Sequence, residues 1–272
     1  MATTNQADYF GLEGKVAIVT GAGAAGDGVG NGRAAAILLA RAGARVLVVD
    51  REVELAERTV RMIAEEGGNA HAFGADVTDE TQCRALVDAA VSTFGRLDLL
   101  DNNVGIASTG SVVEEDPETW RRLMQVNVES MFLVARHAIP AMLDTARGGA
   151  IVNVASIAAL RPRGMTAYST SKGAVVALTR AMAVDHGAEG IRVNCVAPGA
   201  VYTPMVSAEG MSEAARERRR KASLLEIEGN GWDVGNAVRF LLSEQARFIT
   251  GQTLVVDGGA SLTGRPRATD TQ

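Results

Sequence analysis

Short, nearly continuous apolar runs alternate with longer helical patterns along almost the whole chain. This alternation limits the fold more than any other feature. The runs are VAIVT (16–20), RVLVVD (45–50), AHAFGAD (70–76), LDLLD (97–101), GAIVNVAS (149–156), IRVNCVAP (191–198) and TLVVDGG (253–259). Several are almost pure Val, Ile and Leu, which is how strands buried on both faces read. GRAAAILLARAG, EVELAERTVRMIAEEG and ETQCRALVDAAVSTFG fill the first gaps with helical pattern, and PETWRRLMQVNVESMFLVARHAIPAML and the stretch after AYSTSK are longer. Repeated strand–helix–strand order gives a parallel sheet with right-handed crossovers and helices on both faces. The expected architecture is α/β, a doubly wound seven-stranded parallel sheet in a single domain over 1–272. Residues 1–13 and 264–272 are expected to be tails. Residues 203–231, polar and helix-like without a strand, are expected to form a lid over the substrate.

Composition narrows the function classes. The chain has 272 residues, 47 % apolar and 22 % charged, the balance of a soluble globular protein. The net charge is −5 and no basic stretch dominates, so no nucleic-acid partner is expected. No apolar run is long enough to span a bilayer, and MATTNQADYFGLEGK lacks a signal core. Cys83 and Cys195 fit a reduced chain, and a cytoplasmic location is expected. His71, His137 and His186 are scattered without ligand spacing, so no catalytic metal is expected.

TGAGAAGDGVGNGRAAA (20–36) follows the first strand and opens a helix. A glycine turn in that place brings backbone N–H groups and a helix N-terminus against a pyrophosphate, as in Rossmann-type folds. The second strand ends at Asp50, whose carboxylate can accept both ribose hydroxyls of an adenosine. A 2′-phosphate would meet that carboxylate as a like charge, so NAD is expected over NADP. Arg51 follows at once and can stack on adenine or pair with a phosphate.

With these residues the chain resembles the short-chain dehydrogenase/reductase family from about Leu12 to Gly259. Gly21 with Gly30-Asn31-Gly32 resembles its glycine motif, Asp76-Val77 its adenine contact, and Asn102-Asn103-Val104-Gly105 its NNAG segment. Asn127, Ser156, Tyr168 and Lys172 match its four catalytic positions. Pro198, Gly199, Val201 and Thr203 resemble the segment that holds the nicotinamide carboxamide, and ITGQTLVVDGG its C-terminal signature. Three features depart from the family pattern. The glycine loop carries about five extra residues at Ala24–Gly28, with Gly26 and Gly28 as alternatives to Gly30 and Gly32. Asn31 replaces a branched apolar residue, and Asp101 places a carboxylate at the end of a core strand.

The chemistry follows from the residue types. Tyr168 and Lys172 lie four residues apart on one helix face. A free Tyr, with a pKa of about 10, is a poor base. A cation ~5 Å away at an effective dielectric of ~20 favours the phenolate by roughly 3 kcal/mol, about 2 pKa units. Lys172, helped by the charge of an oxidised nicotinamide, is therefore expected to lower Tyr168 toward a general base and to bind the nicotinamide ribose. Ser156, ending a strand, is expected to hydrogen-bond the substrate oxygen. The resemblance implies that Asn127 interrupts its helix and holds a water of a proton relay.

The expected function is NAD-dependent interconversion of a secondary alcohol and a ketone. Ala158, Leu160, Met165, Tyr202, Met205 and Val206, with Ser156, are expected to line the pocket for a small-molecule substrate. Two alternatives remain open: a 3-oxoacyl thioester reductase using NADPH, and a nucleotide-binding regulator without catalysis. The run RERRRK (216–221) is either the solvated face of a lid helix or a site for an anionic substrate. MFLVARHAIPAML and AVVALTRAMAV are apolar over more than one face and need more than one partner layer. A homo-oligomer is expected, and the resemblance implies a homotetramer.

Overall fold

In the computed structural model, residues 8–204 and 210–262 are described. The chain runs β1 (Val16–Thr20), α1 (Asn31–Arg41), β2 (Arg45–Asp50), α2 (Val53–Glu65), β3 (Asn69–Gly74), α3 (Glu80–Phe94) and β4 (Leu99–Asn102). It continues α4 (Pro117–Met124), α5 (Ser130–Ala146), β5 (Gly149–Val154), α6 (Thr166–His186), β6 (Ile191–Pro198), α7 (Glu213–Arg220), α8 (Gly231–Leu242) and β7 (Thr253–Val256). The strands form one parallel sheet in the order β3-β2-β1-β4-β5-β6-β7. Strand order reverses between β1 and β4, so the crevice beyond their carboxyl ends is where a ligand of an open α/β sheet sits.

Two apolar layers sandwich the sheet. One joins Ala17, Val19, Val46 and Val48 to α1, α2 and α8. The other joins Ile18, Leu47, Leu100 and Ile151 to α3, α5 and α6. Consecutive strand residues fall into opposite layers, as a period of two requires. Close approach holds the first layer tight. A Cβ on Gly235 of α8 would lie 2.9 Å from Ala34 of α1, so only glycine lets these helices touch there. Side-chain caps open the helices where the sequence offers them. Asp79 accepts from the Gln82 amide at α3, and Asn230 with Asp233 forms a capping box at α8.

Some boundaries differ from the sequence reading. The long pattern from Pro117 is broken by a π-helical turn at Gln125–Glu129, which separates α4 from α5. The fifth and seventh strands stop at Val154 and Val256, so Ser156 and the following DGG lie in the turns beyond them. Part of the expected N-terminal tail packs against the body. Leu12 is fully buried, and the Phe10 carbonyl accepts from the Glu244 amide at 3.0 Å. The tail at 264–272 lies outside the described residues. Of the expected lid, α7 is a helix, and an isolated bridge joins Tyr202 to Asn230. Among the described residues no helix is long and apolar enough to cross a membrane.

Candidate active site

The loops after β1 and β4 are tied together at the crevice. The Asn103 amide donates to the Thr20 hydroxyl, and its side chain donates to the Gly21 carbonyl, both at 3.1 Å. Gly32 lies beneath this knot: a Cβ there would come within 2.4 Å of the Gly21 carbonyl oxygen. That contact singles out Gly32 as the glycine that lets the helix approach the strand, while a Cβ on Gly30 would meet only Ala24, at 3.8 Å. Gly30 caps α1 without a side-chain hydrogen bond, so the first backbone N–H groups face the cleft uncovered. The buried Asn31 side-chain oxygen at the same turn has no hydrogen-bond partner among the described residues. The close packing at Gly32 and the N–H groups that open α1 fit the pyrophosphate of a dinucleotide, whereas the Asn31 oxygen, an acceptor, calls for a donor.

One side chain, unremarked in the sequence, organises the extra loop residues. Arg33 is fully buried. Its guanidinium donates to the carbonyls of Ala24 (2.8 Å), Gly26 (2.9 Å) and Gly28 (2.6 Å), and to the Thr59 hydroxyl (2.9 Å). Thr59 in turn donates to the Ala22 carbonyl at 2.7 Å. Arg58 on α2 pairs with Asp27 at the loop's tip. The enlarged loop is therefore a built structure pinned from inside by a fork of N–H donors.

The adenosine end is a separate hollow of ≈ 290 Å³ that includes Asp50, Arg51, Asp76, Val77, Val104 and Gly105. Asp50 accepts from the Gly23 amide at 2.9 Å through one oxygen and from the Glu52 amide at 3.2 Å through the other. Its remaining lone pairs are available to ribose hydroxyls. Asp76 is held by the Thr78 hydroxyl at 2.7 Å, which, against the cost of burial, keeps its carboxyl below the usual range. Arg122 also lines this hollow, and the sequence reading did not include it.

The chemistry-bearing side chains meet in a cleft of ≈ 400 Å³, where Ser156, Tyr168 and Lys172 line one side and Gly21, Gly30, Asn31 and Asn103 the other. Pro198, Gly199, Val201 and Thr203 close it from β6. The Lys172 ammonium donates to the Val154 carbonyl at 2.9 Å and lies 5.9 Å from the Tyr168 ring centre. Asn127, fully buried on the π turn, donates to the Ile106 carbonyl and accepts from its amide, at 2.9 and 2.8 Å. It also donates at 2.9 Å to the Ser171 hydroxyl, which donates to the Tyr168 carbonyl. The π turn thus aims Asn127 between α6 and the loop after β4. Beneath it, Asn102 donates to Asn153 and Asn153 to Thr179, a buried ladder that seats α6 on the sheet.

Electrostatics correct one expectation. Tyr168 is raised above the usual phenol range, because desolvation by burial outweighs a hydrogen bond with Ser156. Lys172 does not reverse this from its place over the ring; burial brings its own pKa down to about 8. The sequence estimate counted the cation and left out the desolvation that comes with the same packing. Burial also pushes the thiols of Cys83 and Cys195 up to about 12 and about 11, so neither is an activated nucleophile. Asp101 is fully buried between Val19 and Val152, neither oxygen has a partner among the described residues, and burial pushes its carboxyl up to about 8.

Of the expected substrate residues, Ser156 lines the cleft; Ala158, Leu160, Met165 and Tyr202 are not among its lining residues, where Ile106, Ala107, Pro204 and Arg219 stand. Leu160 is 52 % exposed, the Met165 backbone bridges Gly110, and the Tyr202 ring is covered by the Arg216 guanidinium at 4.4 Å. Met205 and Val206 lie outside the described residues.

Comparison with known proteins agrees with this geometry. The family described as Enoyl-(Acyl carrier protein) reductase matches residues 23–261. 2-(S)-hydroxypropyl-CoM dehydrogenase 3 of Xanthobacter autotrophicus is 41 % identical over 91 % of this chain and 97 % of its own. Cyclohexanol dehydrogenase of an Acinetobacter species is 40 % identical over 90 % and 94 %. A 7α-hydroxysteroid dehydrogenase solved with NADH and 7-oxo glycochenodeoxycholic acid superposes with a TM-score of 0.86 at 36 % identity, covering 94 % of this chain and 98 % of that one. The chain belongs to the short-chain dehydrogenase/reductase family, oxidoreductases that work with a nicotinamide cofactor.

Proposed function

We propose that the protein is an NAD(H)-dependent dehydrogenase that interconverts a small secondary alcohol and its ketone. The observation that carries this reading is the meeting of Ser156, Tyr168 and Lys172 in one cleft beside the uncovered N-terminus of α1. Relatives named for secondary alcohols, and a neighbour solved with NADH, support it. Asp50 supports NAD over NADP, because its carboxylate stands where a 2′-phosphate would be repelled.

A bound nicotinamide supplies the hydride donor and acceptor. Gly21, Gly30, Asn31 and Gly32 would hold its pyrophosphate, Asp50, Arg51, Asp76 and Val77 its adenosine, and Asn103, Val104, Gly105, Pro198, Gly199, Val201 and Thr203 the segment that leads to the ring. The Ser156 hydroxyl donates to the substrate oxygen and fixes it beside the Tyr168 hydroxyl. In oxidation Tyr168 takes the alcohol proton at its phenolic oxygen; in reduction it returns that proton to the ketone oxygen. Lys172, mostly charged at neutral pH, stabilises the phenolate and binds ribose hydroxyls. Asn127 positions α6 through Ser171. Exposed Phe132 on α5 and Val184 on α6 support assembly of copies through these helices as a homotetramer, and buried free thiols support a reduced cytoplasmic setting.

The test is NADH formation with a panel of secondary alcohols, cyclohexanol among them. Turnover with NAD is the expected result, and failure with every alcohol and ketone offered would overturn the reading. Because burial holds Tyr168 in its protonated form, alcohol oxidation should rise with pH and ketone reduction should fall.

A further inference from the structure

The basic run on α7 divides into side chains that are engaged and one that is not. Arg216 grips Glu228 through two N–H groups, with Nε at 2.6 Å. Arg220 and Lys221 share Glu217, at 2.6 and 3.3 Å. Arg218 faces solvent. Arg219 is half-buried and has no acidic partner within 4 Å among the described residues. Its Nη2 donates to the Val201 carbonyl at 3.1 Å, which fixes the guanidinium against the cleft wall.

Arg219 and Lys172 are the charged side chains that line the cleft among the described residues, and no carboxylate lines it. Lys172 is turned to the Val154 carbonyl. The cleft beside Tyr168 is thus lined by two cations and, among the described residues, by no carboxylate, and Arg219 is the one that the proposed proton transfer does not use. The surrounding wall, Ile106, Ala107, Val201 and Pro204, is apolar and small. Arg219 also borders a second hollow of ≈ 480 Å³ with Leu224, Ile227 and Leu254, and no residue of the glycine loop reaches that hollow. Arg219 thus stands where the cleft meets this second hollow.

We propose that Arg219 is a specificity determinant that binds an anionic group, a carboxylate or a sulfonate, carried by the substrate on an arm of the carbinol carbon. Planar N–H donors recognise either anion through paired hydrogen bonds. The apolar wall takes the carbon skeleton between the anion and the reacting centre. This rests on the dehydrogenase reading above and names its substrate class.

The experiment compares 4-hydroxypentanoate, its neutral amide and the analogous 4-hydroxypentane-1-sulfonate as substrates with NAD. The wild type should turn over both anions with a kcat/KM at least tenfold above that of the amide, and added salt should erode the gap. Arg219→Ala should bring the ratio of anion to amide toward one, mainly by raising the KM of the anion while kcat holds. Arg219→Lys should restore part of the ratio, and Arg218→Ala should leave it unchanged. A carboxylate favoured over the sulfonate, or the reverse, tells which anion the site was built for. An amide used as well as the anions by the wild type overturns the proposal. So does a rise in the KM for NAD in Arg219→Ala that matches the rise for the anion, which would assign the guanidinium to cofactor phosphate. Calorimetry of 4-oxopentanoate binding to the NADH-bound enzyme decides the matter even if turnover is slow, since equal affinity in wild type and Arg219→Ala also overturns it. If the amide and cyclohexanol are oxidised but no anion is preferred, the anchor fails and the dehydrogenase reading stands. If nothing is turned over, that reading fails.

Discussion

Arginine shapes the cleft at two places, in opposite ways. At the floor, Arg33 is fully buried and gives its guanidinium to three backbone carbonyls and a hydroxyl. At the rim, α7 presents a run of arginines to water, held by glutamates that are themselves exposed or half-buried. Exposed ion pairs are screened and worth little, whereas a buried donor that satisfies several acceptors fixes a conformation. The floor is therefore held firmly and the rim loosely, and on the proposals above the floor carries the chemistry and the rim selects the substrate. Ser156, Tyr168, Lys172 and Asn127 all stand on the floor, and Arg219 stands at the rim.

If that division is right, the largest effect belongs to the floor's reactive oxygen. Tyr168→Phe should cut kcat by 10²–10⁴-fold, the range typical of general acid–base catalysis, while NAD binding stays near normal. Single-turnover kinetics with a cofactor titration checks both halves. Retention of more than about a tenth of kcat would move the proton transfer to another group.

Removing Arg33 probes the same floor through structure rather than chemistry. Arg33→Ala leaves the Ala24, Gly26 and Gly28 carbonyls without their donor and should cost about 3 kcal/mol of stability, with weaker cofactor binding. Arg33→Lys keeps the charge but not the fork, so cofactor affinity should still fall. Arg218→Ala, at the rim, should change neither. Urea melts and NAD titrations of the three variants would blur the contrast if Arg33→Ala behaved like Arg218→Ala.

Cofactor choice lies between the two regions, since Asp50 belongs to the sheet but faces an open hollow. The expected ratio of kcat/KM for NAD over NADP is at least ~100, about 2.7 kcal/mol. Asp50→Ala should narrow it mainly by losing NAD, and it also removes the acceptor for the Gly23 amide. Equal efficiencies in the wild type would favour a thioester reductase that uses NADPH.

The same division explains what the sequence could disclose. Strands β1, β2 and β6 were legible to the residue, because a run buried on both faces leaves no other reading. Asn127, Ser156, Tyr168 and Lys172 were legible as a set because their order and spacing resemble a family pattern. Arg33 was not, since its partners are backbone carbonyls, which leave no mark in side-chain identity. The break at Asn127 was legible only through that resemblance, because the helical pattern around it is continuous. The place of Leu160 and Tyr202 outside the cleft lining was not legible, because the direction of a side chain in a rim loop depends on neighbours such as Arg216 that are distant in sequence. The rise in Tyr168 was missed because desolvation is a property of packing.

A last test asks whether the floor is as fully satisfied as the comparison requires. Asp101 is one exception, a buried carboxyl flanked by Val19 and Val152 with no partner among the described residues. Its folded pKa is about 8, against about 3.9 in an unfolded chain. Between those values the folded protein holds a proton that the unfolded chain has released. Stability from this group is therefore complete below about pH 4 and declines as pH rises through about 8, by up to about 1.4 kcal/mol per pH unit. Asp101→Val removes the titration and keeps a similar volume, so its stability should vary less with pH, with the variant gaining on the wild type as pH increases. Urea melts at pH 6 and pH 9 would read the difference. Parallel wild-type and Asp101→Val profiles would mean that the carboxylate is compensated inside the sheet, and that Asp101 is no exception to the satisfied floor.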